Sequence, residues 1–330
     1  MGLSARALVI GHGRSRLAGP WSLDLPAGRF VCLIGANGAG KSTLIRTLCG
    51  MQPALAGEVR IDGRAFATLS PAERARHLAV VLTERVQPTL MTGLELARLG
   101  RYPHVGWRGR LGEEDEAQVW AALEQAGARA LAGRLVSELS DGERQKLMIA
   151  RALAQQPRLL VLDEATAFLD LPRRIETLQL LLDLARERQL AVLLSTHDLE
   201  LALRHADALW LIDGKRRLHA GAPEDLALSG ALNSAFASEG LRFDLDRGEL
   251  VMGRPGSRPV RLDGDGVHAT WARRALLRAG CHIATQAPDH VHASAQGYTL
   301  TRTGLAPQTH ATLSALVESL VDAPSPARLP

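Results

Sequence analysis

Residues Gly35-Ala36-Asn37-Gly38-Ala39-Gly40-Lys41-Ser42-Thr43 fit the pattern G-x-x-x-x-G-K-[ST], set between an apolar strand-like run, Phe30 to Ile34, and a helix-like segment. Few short stretches restrict a fold so strongly. The glycines let the backbone wrap an anion with its N–H groups pointing inward, and the helix N-terminus adds a positive dipole. Lys41 then reaches the terminal phosphates, and Ser42 is placed to ligate Mg²⁺. A chance glycine-rich turn would supply the glycines but not the strand–loop–helix context. The nine residues predict a nucleoside triphosphate site in an α/β protein.

The rest of the chain agrees with that class. Residues 5 to 62 read as short strands punctuated by Gly and Pro, with the loop helix at about 41–49. From about 71 to 157, Ala-, Leu-, Glu- and Arg-rich segments with helical spacing predict a helical insertion, with helices over Glu113–Ala126 and Gly142–Ala154. Arg158–Leu162 and Leu190–Ser195 are continuous apolar runs of the kind buried in a parallel sheet, with a helix at about 172–188 between them. Past residue 236 the pattern weakens. A helix over His268–Ala279, strands at 281–286, 290–294 and 297–302, and a last helix at about 309–322 predict a small α+β module. The expected organisation is a nucleotide-binding domain over 1–236, with a helical subdomain at about 85–157, followed by a separate module over 237–330.

Composition sets outer limits. A 330-residue chain that is 46% hydrophobic has ample material for a core. The net charge of +4 is spread along the chain and suits an anionic ligand or a membrane-facing partner. No run of ~18 apolar residues and no secretory leader in Met1–Gly13 are present, so a cytosolic, non-spanning protein is expected. Three scattered cysteines (Cys32, Cys49, Cys281) read as core residues in a reducing compartment. With 4% aromatic residues there is little stacking platform for nucleic acid.

Hydrolysis needs a metal anchor and a group that orients water. The strand end Leu159-Leu160-Val161-Leu162-Asp163-Glu164 offers both: Asp163 for the Mg²⁺ shell, and Glu164, pointing the other way, for the attacking water. His197, just past the next buried strand, is placed to hydrogen-bond a γ-phosphate. Leu139-Ser140-Asp141-Gly142-Glu143-Arg144-Gln145 opens an Ala- and Leu-rich helix, and Ser140-x-x-Glu143 is a capping box.

That heptapeptide also resembles the signature motif, usually L-S-G-G-Q, of ATP-binding cassette (ABC) ATPases, and over about 5–230 the motifs follow that family's order. Within the family, Leu99-Gly-Arg-Tyr-Pro-His104 and Thr166-Ala-Phe-Leu-Asp170-Leu-Pro-Arg-Arg-Ile-Glu176 are most similar to ATPase subunits of ferric siderophore, haem and cobalamin importers. The resemblance implies a P-loop NTPase fold with a parallel-sheet core, an antiparallel β subdomain and a helical subdomain. It implies ATP and Mg²⁺, and a homodimer in which Ser140, Asp141, Gly142 and Glu143 of one copy address the nucleotide of the other. Integral-membrane permease subunits touched through Leu94–His104, a solute-binding protein acting indirectly, no nucleic acid, and a peripheral position on the cytoplasmic face of the membrane follow in the same way. Asp170 falls in the loop that communicates between subunits.

Four positions depart from the family pattern. His12 stands where an aromatic residue stacks on adenine, Glu84 where a metal- and water-sensing Gln is usual, Asp141 replaces a signature glycine, and Ala165 replaces a Pro. In the C-terminal module, His282, His290 and His292 read either as a metal or haem site or as histidines with no ligating partners. Asp263-x-Asp265 reads as a turn rather than a Ca²⁺ loop, because no Glu follows at the twelfth position. Two other readings stay open: a soluble ABC ATPase acting on DNA or ribosomes, and a nucleotide-regulated sensor. The distance of about a hundred residues from Lys41 to Ser140 leaves no room for the coiled coil of repair ATPases, and Glu164 with His197 argues against an inactive site.

Overall fold

A computed structural model describes residues 2–82, 90–105, 110–166, 169–236, 241–245, 248–252 and 256–321. The chain divides into two compact units, Met1–Val251 and Met252–Pro330.

In the first unit, β1 (Gly2–His12) and β2 (Ser15–Pro26) form an antiparallel pair, followed by β3 (Phe30–Gly35) and α1 (Lys41–Leu48). β4 (Ala56–Ile61) and β5 (Arg64–Ala65) complete a four-stranded sheet in the order β2-β1-β4-β5. Next come α2 (Pro71–His77), β6 (Leu78–Val81), α3 (Gly93–Arg98), α4 (Glu113–Gln125), α5 (Asp141–Ala154) and β7 (Leu159–Asp163). α6 (Leu171–Arg188), β8 (Ala191–Ser195), α7 (Leu199–His205), β9 (Ala208–Ile212) and β10 (Leu218–Gly221) follow. The unit closes with α8 (Pro223–Leu228), α9 (Ala231–Phe236) and a hairpin of β11 (Leu241–Asp244) and β12 (Glu249–Met252).

The central sheet runs β10-β9-β3-β8-β7-β6, parallel except for β10. Its strands are apolar throughout because both faces are covered. Phe30, Cys32 and Ile34 of β3 pack with the helical layer of α3 to α6, whereas the intervening Val31 and Leu33 pack with α1 and the antiparallel sheet. The period-two alternation of a strand thus divides one apolar run between two cores. Cys32 and Cys49 lie in these cores, where burial pushes their thiols far above the usual range.

Two features differ from the sequence expectation. The helix-rich stretch from 71 contains β6, which adds the edge strand to the central sheet beside β7. The first unit also runs past residue 236: Phe243 of β11 is buried in the helical-side core, and its N–H donates to Asn233 Oδ1 at 2.7 Å.

The second unit consists of β13 (Arg258–Asp263), α10 (Gly266–Arg278), β14 (Cys281–Ile283), β15 (Asp289–Ser294), β16 (Gly297–Arg302), β17 (Gln308–His310) and α11 (Leu313–Val321). Its sheet order is β14-β13-β15-β16-β17. Val260, Val291, Tyr298 and Leu300 pack with Ala272 and Leu276 of α10 and with Leu316 and Leu320 of α11. The helix expected from about 309 starts later, because Gln308–His310 pairs with Tyr298–Leu300 and Thr312 accepts the N–H of Ala315 on its hydroxyl at 3.3 Å.

Candidate functional site

β3, β8 and β7 are neighbours and parallel, so their C-terminal ends lie side by side, and Ser195 is in register with both Leu33 and Asp163. The phosphate loop leaves β3, His197 follows β8, and Asp163-Glu164 ends β7. This is where an open parallel sheet presents ligand groups.

The loop is shaped for close approach. Gly35 could not carry a side chain, since a Cβ would come within 2.8 Å of Ile212 O. Gly40 precedes α1 at φ +109°, a conformation that favours glycine. Asn37 and Gly38 are exposed, Ala36 and Ser42 half-buried, and Ala39, Lys41 and Thr43 buried. Lys41 Nζ donates to Gly35 O at 2.8 Å and Ala36 O at 3.4 Å, which holds the ammonium within the loop. No side chain caps α1, so its first-turn N–H groups face the loop's concavity. The cradle therefore fits a polyphosphate. His12 is exposed, and its Nε2 lies 3.3 Å from Thr43 Oγ1, which fixes the imidazole to the loop helix.

Asp163 is buried at the end of β7, next to Glu164. A buried carboxylate and a half-buried Ser42 hydroxyl are the hard oxygen donors that Mg²⁺ takes. Glu84 lies outside the described residues. Glu164 adopts φ +50°, rare for a non-glycine residue, and is held there from two sides. Its N–H donates to Ser195 O at 3.1 Å, and its Oε1 meets His197 Nε2 at 2.6 Å. These two residues, 33 apart in sequence, are brought together at the ends of β7 and β8.

Glu164 and His197 also line a cleft of ≈ 670 Å³ with Arg174, Asp198, Leu203 and Leu250. Arg174 Nη1 donates to Asp198 Oδ2 at 2.8 Å, and Asp198 caps α7 by accepting from Leu201 N at 3.0 Å. Sequence reasoning missed this pair and the hairpin wall. The Asp ahead of an apolar helix was a cap signal, and Asp-Arg-Gly248 between two alternating runs was a hairpin signal.

Ser140 stands apart from this cleft. It N-caps α5 in a complete capping box: Ser140 N and Oγ donate to Glu143 Oε2 at 3.0 and 2.9 Å, and Glu143 N donates to Ser140 Oγ at 3.3 Å. Asp141 pairs with Arg144 at 3.0 Å, within the first turn of α5. Gly142 lies against the side chain of Arg173. Asp170 N-caps α6, accepting from Arg173 N at 3.0 Å.

In the second unit, His290 Nε2 is 2.7 Å from Asp263 Oδ2, and His282 Nδ1 is 2.7 Å from Gly256 O. Among the described residues no group of three or more His, Cys, Asp or Glu could hold a metal ion. The three histidines therefore do not converge on a shared ion.

A family model described as ABC transporter matches residues 19–167, and one described as Iron ABC transporter C-terminal domain matches 257–321. An ABC transporter ATP-binding protein of Methanocaldococcus jannaschii is 41% identical over 234 residues, covering 71% of this chain and 81% of that one. The ferric enterobactin transport ATP-binding protein FepC of Escherichia coli is 34% identical, covering 71% and 86%. A bacterial ABC transporter cassette solved as a dimer superposes with a TM-score of 0.56 at 26% identity, covering 63% of this chain and 93% of that one.

Proposed function

This chain belongs to the family of ABC transporter ATP-binding proteins, and from that premise we propose that it is the ATP-hydrolysing subunit of an importer for a ferric chelate, working as a homodimer against membrane permease subunits. The observation that carries the proposal is the split of the site. Lys41, Asp163, Glu164 and His197 sit at adjacent strand ends, while Ser140 is exposed at the head of α5, outside the cleft that Glu164 and His197 line. A signature that does not serve its own nucleotide serves that of a second copy, and the dimeric structure of a related cassette supports this arrangement. An iron chelate is favoured over haem or cobalamin by the iron-transporter match of the second unit and by the ferric enterobactin relative. No helix among the described residues is long and apolar enough to cross a membrane, in keeping with a peripheral subunit on the cytoplasmic face. A solute-binding protein outside the permease would deliver the chelate.

In this reading the loop N–H groups, the α1 dipole and Lys41 bind and orient the β- and γ-phosphates. Ser42 and Asp163 would hold Mg²⁺, which would supply neutralisation of the phosphate charge. Glu164 orients the attacking water and accepts its proton, with His197 fixing the carboxylate through the 2.6 Å contact. Ser140 and the α5 N-terminus of the second copy cover the γ-phosphate. Turnover is expected to be slow for the isolated chain and to rise when it is reconstituted with its permease in proteoliposomes. Lys41→Ala should abolish MgATP turnover in both settings; a variant with full turnover would show that the site is misassigned.

A further inference from the structure

β8 ends on a buried hydroxyl. Ser195 follows the apolar run Ala191-Val192-Leu193-Leu194, is 0% exposed, and among the described residues its Oγ has no hydrogen-bond partner. A hydroxyl taken out of water without a partner costs free energy that Ala or Val at the same place would not. Its presence at the end of this strand calls for an acceptor.

The alternation of the strands says where that acceptor lies. Ala191 and Leu193 of β8 pack in the core on the α1 side of the sheet, together with Leu159 and Val161 of β7 and Val31 and Leu33 of β3, whereas Val192, Leu194, Leu160 and Leu162 pack in the core on the other side. Ser195 and Asp163 each continue the α1-side series by two residues, and they are in register on adjacent parallel strands. Side chains so related stand on one face, on strands roughly 5 Å apart. The other residue in register with Ser195 is Leu33, whose side chain accepts nothing. The polar side chain beside the hydroxyl is therefore the Asp163 carboxylate, on the face that carries the phosphate-loop helix. Meanwhile the backbone of Ser195 is held from both sides: its carbonyl accepts the Glu164 N–H at 3.1 Å, and the following Thr196 N–H donates to Leu33 O at 3.2 Å.

We propose that Ser195 is a positioning residue for hydrolysis, its hydroxyl donating to the Asp163 carboxylate in the loaded site and holding it in the orientation that takes Mg²⁺. The inference rests on the reading of Asp163 as the metal anchor and adds to it the residue that sets that anchor. One serine then serves both carboxylates at the end of β7, Glu164 through its carbonyl and Asp163 through its side chain.

The test titrates Mg²⁺ into the full-length chain in the presence of a non-cleavable fluorescent ATP analogue and reads the concentration that gives half of the Mg²⁺-dependent binding, so no turnover is involved. Ser195→Ala should raise this midpoint about tenfold or more, as expected for a hydrogen bond to a charged group, and leave the affinity measured in EDTA unchanged. Ser195→Cys, which fills the space with a poor donor, should behave as the Ala variant does, and Ser195→Thr, which keeps the hydroxyl, should titrate close to the unmodified chain. A wild-type midpoint in both the Ala and Cys variants overturns the proposal. Equal weakening with and without Mg²⁺ overturns it as well, since that is what a packing role would give. Asp163→Asn separates this inference from the reading beneath it: the substitution should raise the midpoint by itself, with Ser195→Ala adding nothing further in its background. If Asp163→Asn titrates as the unmodified chain does, the metal anchor is misassigned; if it shifts and Ser195→Ala does not, only the role of the serine falls.

Discussion

At Glu164, a non-glycine residue holds φ +50°, a conformation that costs about 1–3 kcal/mol and persists only where its surroundings over-determine it. Here the backbone is pinned to Ser195 and the carboxylate to His197. The Pro usual after this position is replaced by Ala165, so the neighbouring strand and the histidine, rather than a ring, supply the restraint. Glu164→Gln keeps the shape and removes the base. Turnover is expected to fall about 10²–10⁴-fold with MgATP binding retained and an ATP-dependent dimer accumulating; normal hydrolysis by this variant would remove Glu164 from the mechanism. The residues of this site were legible in the sequence because each follows an apolar strand whose end is marked by the change to polar residues. The left-handed backbone at 164 and the Arg174–Asp198 pair were not, since the first is imposed by β8 and the second joins residues 24 apart through the fold.

At the scale of elements, α5 depends on its start. Hydrogen bonds from the Ser140 N–H and hydroxyl, then from Arg134, hold the Glu143 carboxyl below the usual carboxylate range. A lowered folded-state pKa stabilises the helix start above the ordinary Glu value of ~4.3, and that contribution is lost as pH falls through the lowered value. Protection of the first-turn amides of α5 against hydrogen exchange should therefore be insensitive to this group between neutral pH and about pH 5, and fall only in stronger acid. Ser140→Ala should cost about 1 kcal/mol of local stability at neutral pH, whereas Ser140→Thr retains the cap. Unchanged protection in the Ala variant would separate the capping role from the signature role. This box was readable as Ser-x-x-Glu, whereas β6 was not. Four residues of strand, directly after α2 in a helix-rich stretch, carry too little periodicity, and only their pairing with β7 defines them. β17 escaped for the same reason: its extended form comes from β16.

Across the whole molecule, the two units differ in what holds them. The first spreads its stability over two apolar cores on either side of one sheet. The second has a single small core and a buried ionic centre: Asp289, 3% exposed, is 2.8 Å from Arg258 Nε and 3.4 Å from Arg302 Nε. The same two guanidinium groups donate to the carbonyls of Leu320 and Ser319 in the last turn of α11. One carboxylate thus sets both arginines that fasten the final helix to the sheet. Removing it leaves two half-buried guanidinium groups short of their counter-charge, at a cost of up to about 3–5 kcal/mol, the range for a fully buried pair. Domains of this size hold roughly 0.05–0.15 kcal/mol per residue, about 4–12 kcal/mol for this unit, so the loss is a large fraction of its stability. Asp289→Ala should shift the unfolding transition of the second unit strongly downward in calorimetry. The transition of the first unit should remain, along with its upward shift on adding MgATP, because its cores and phosphate loop lie wholly within 1–251. If that substitution instead removed nucleotide binding together with both transitions, the two units would be one cooperative body, and the second could not be assigned a role separable from hydrolysis.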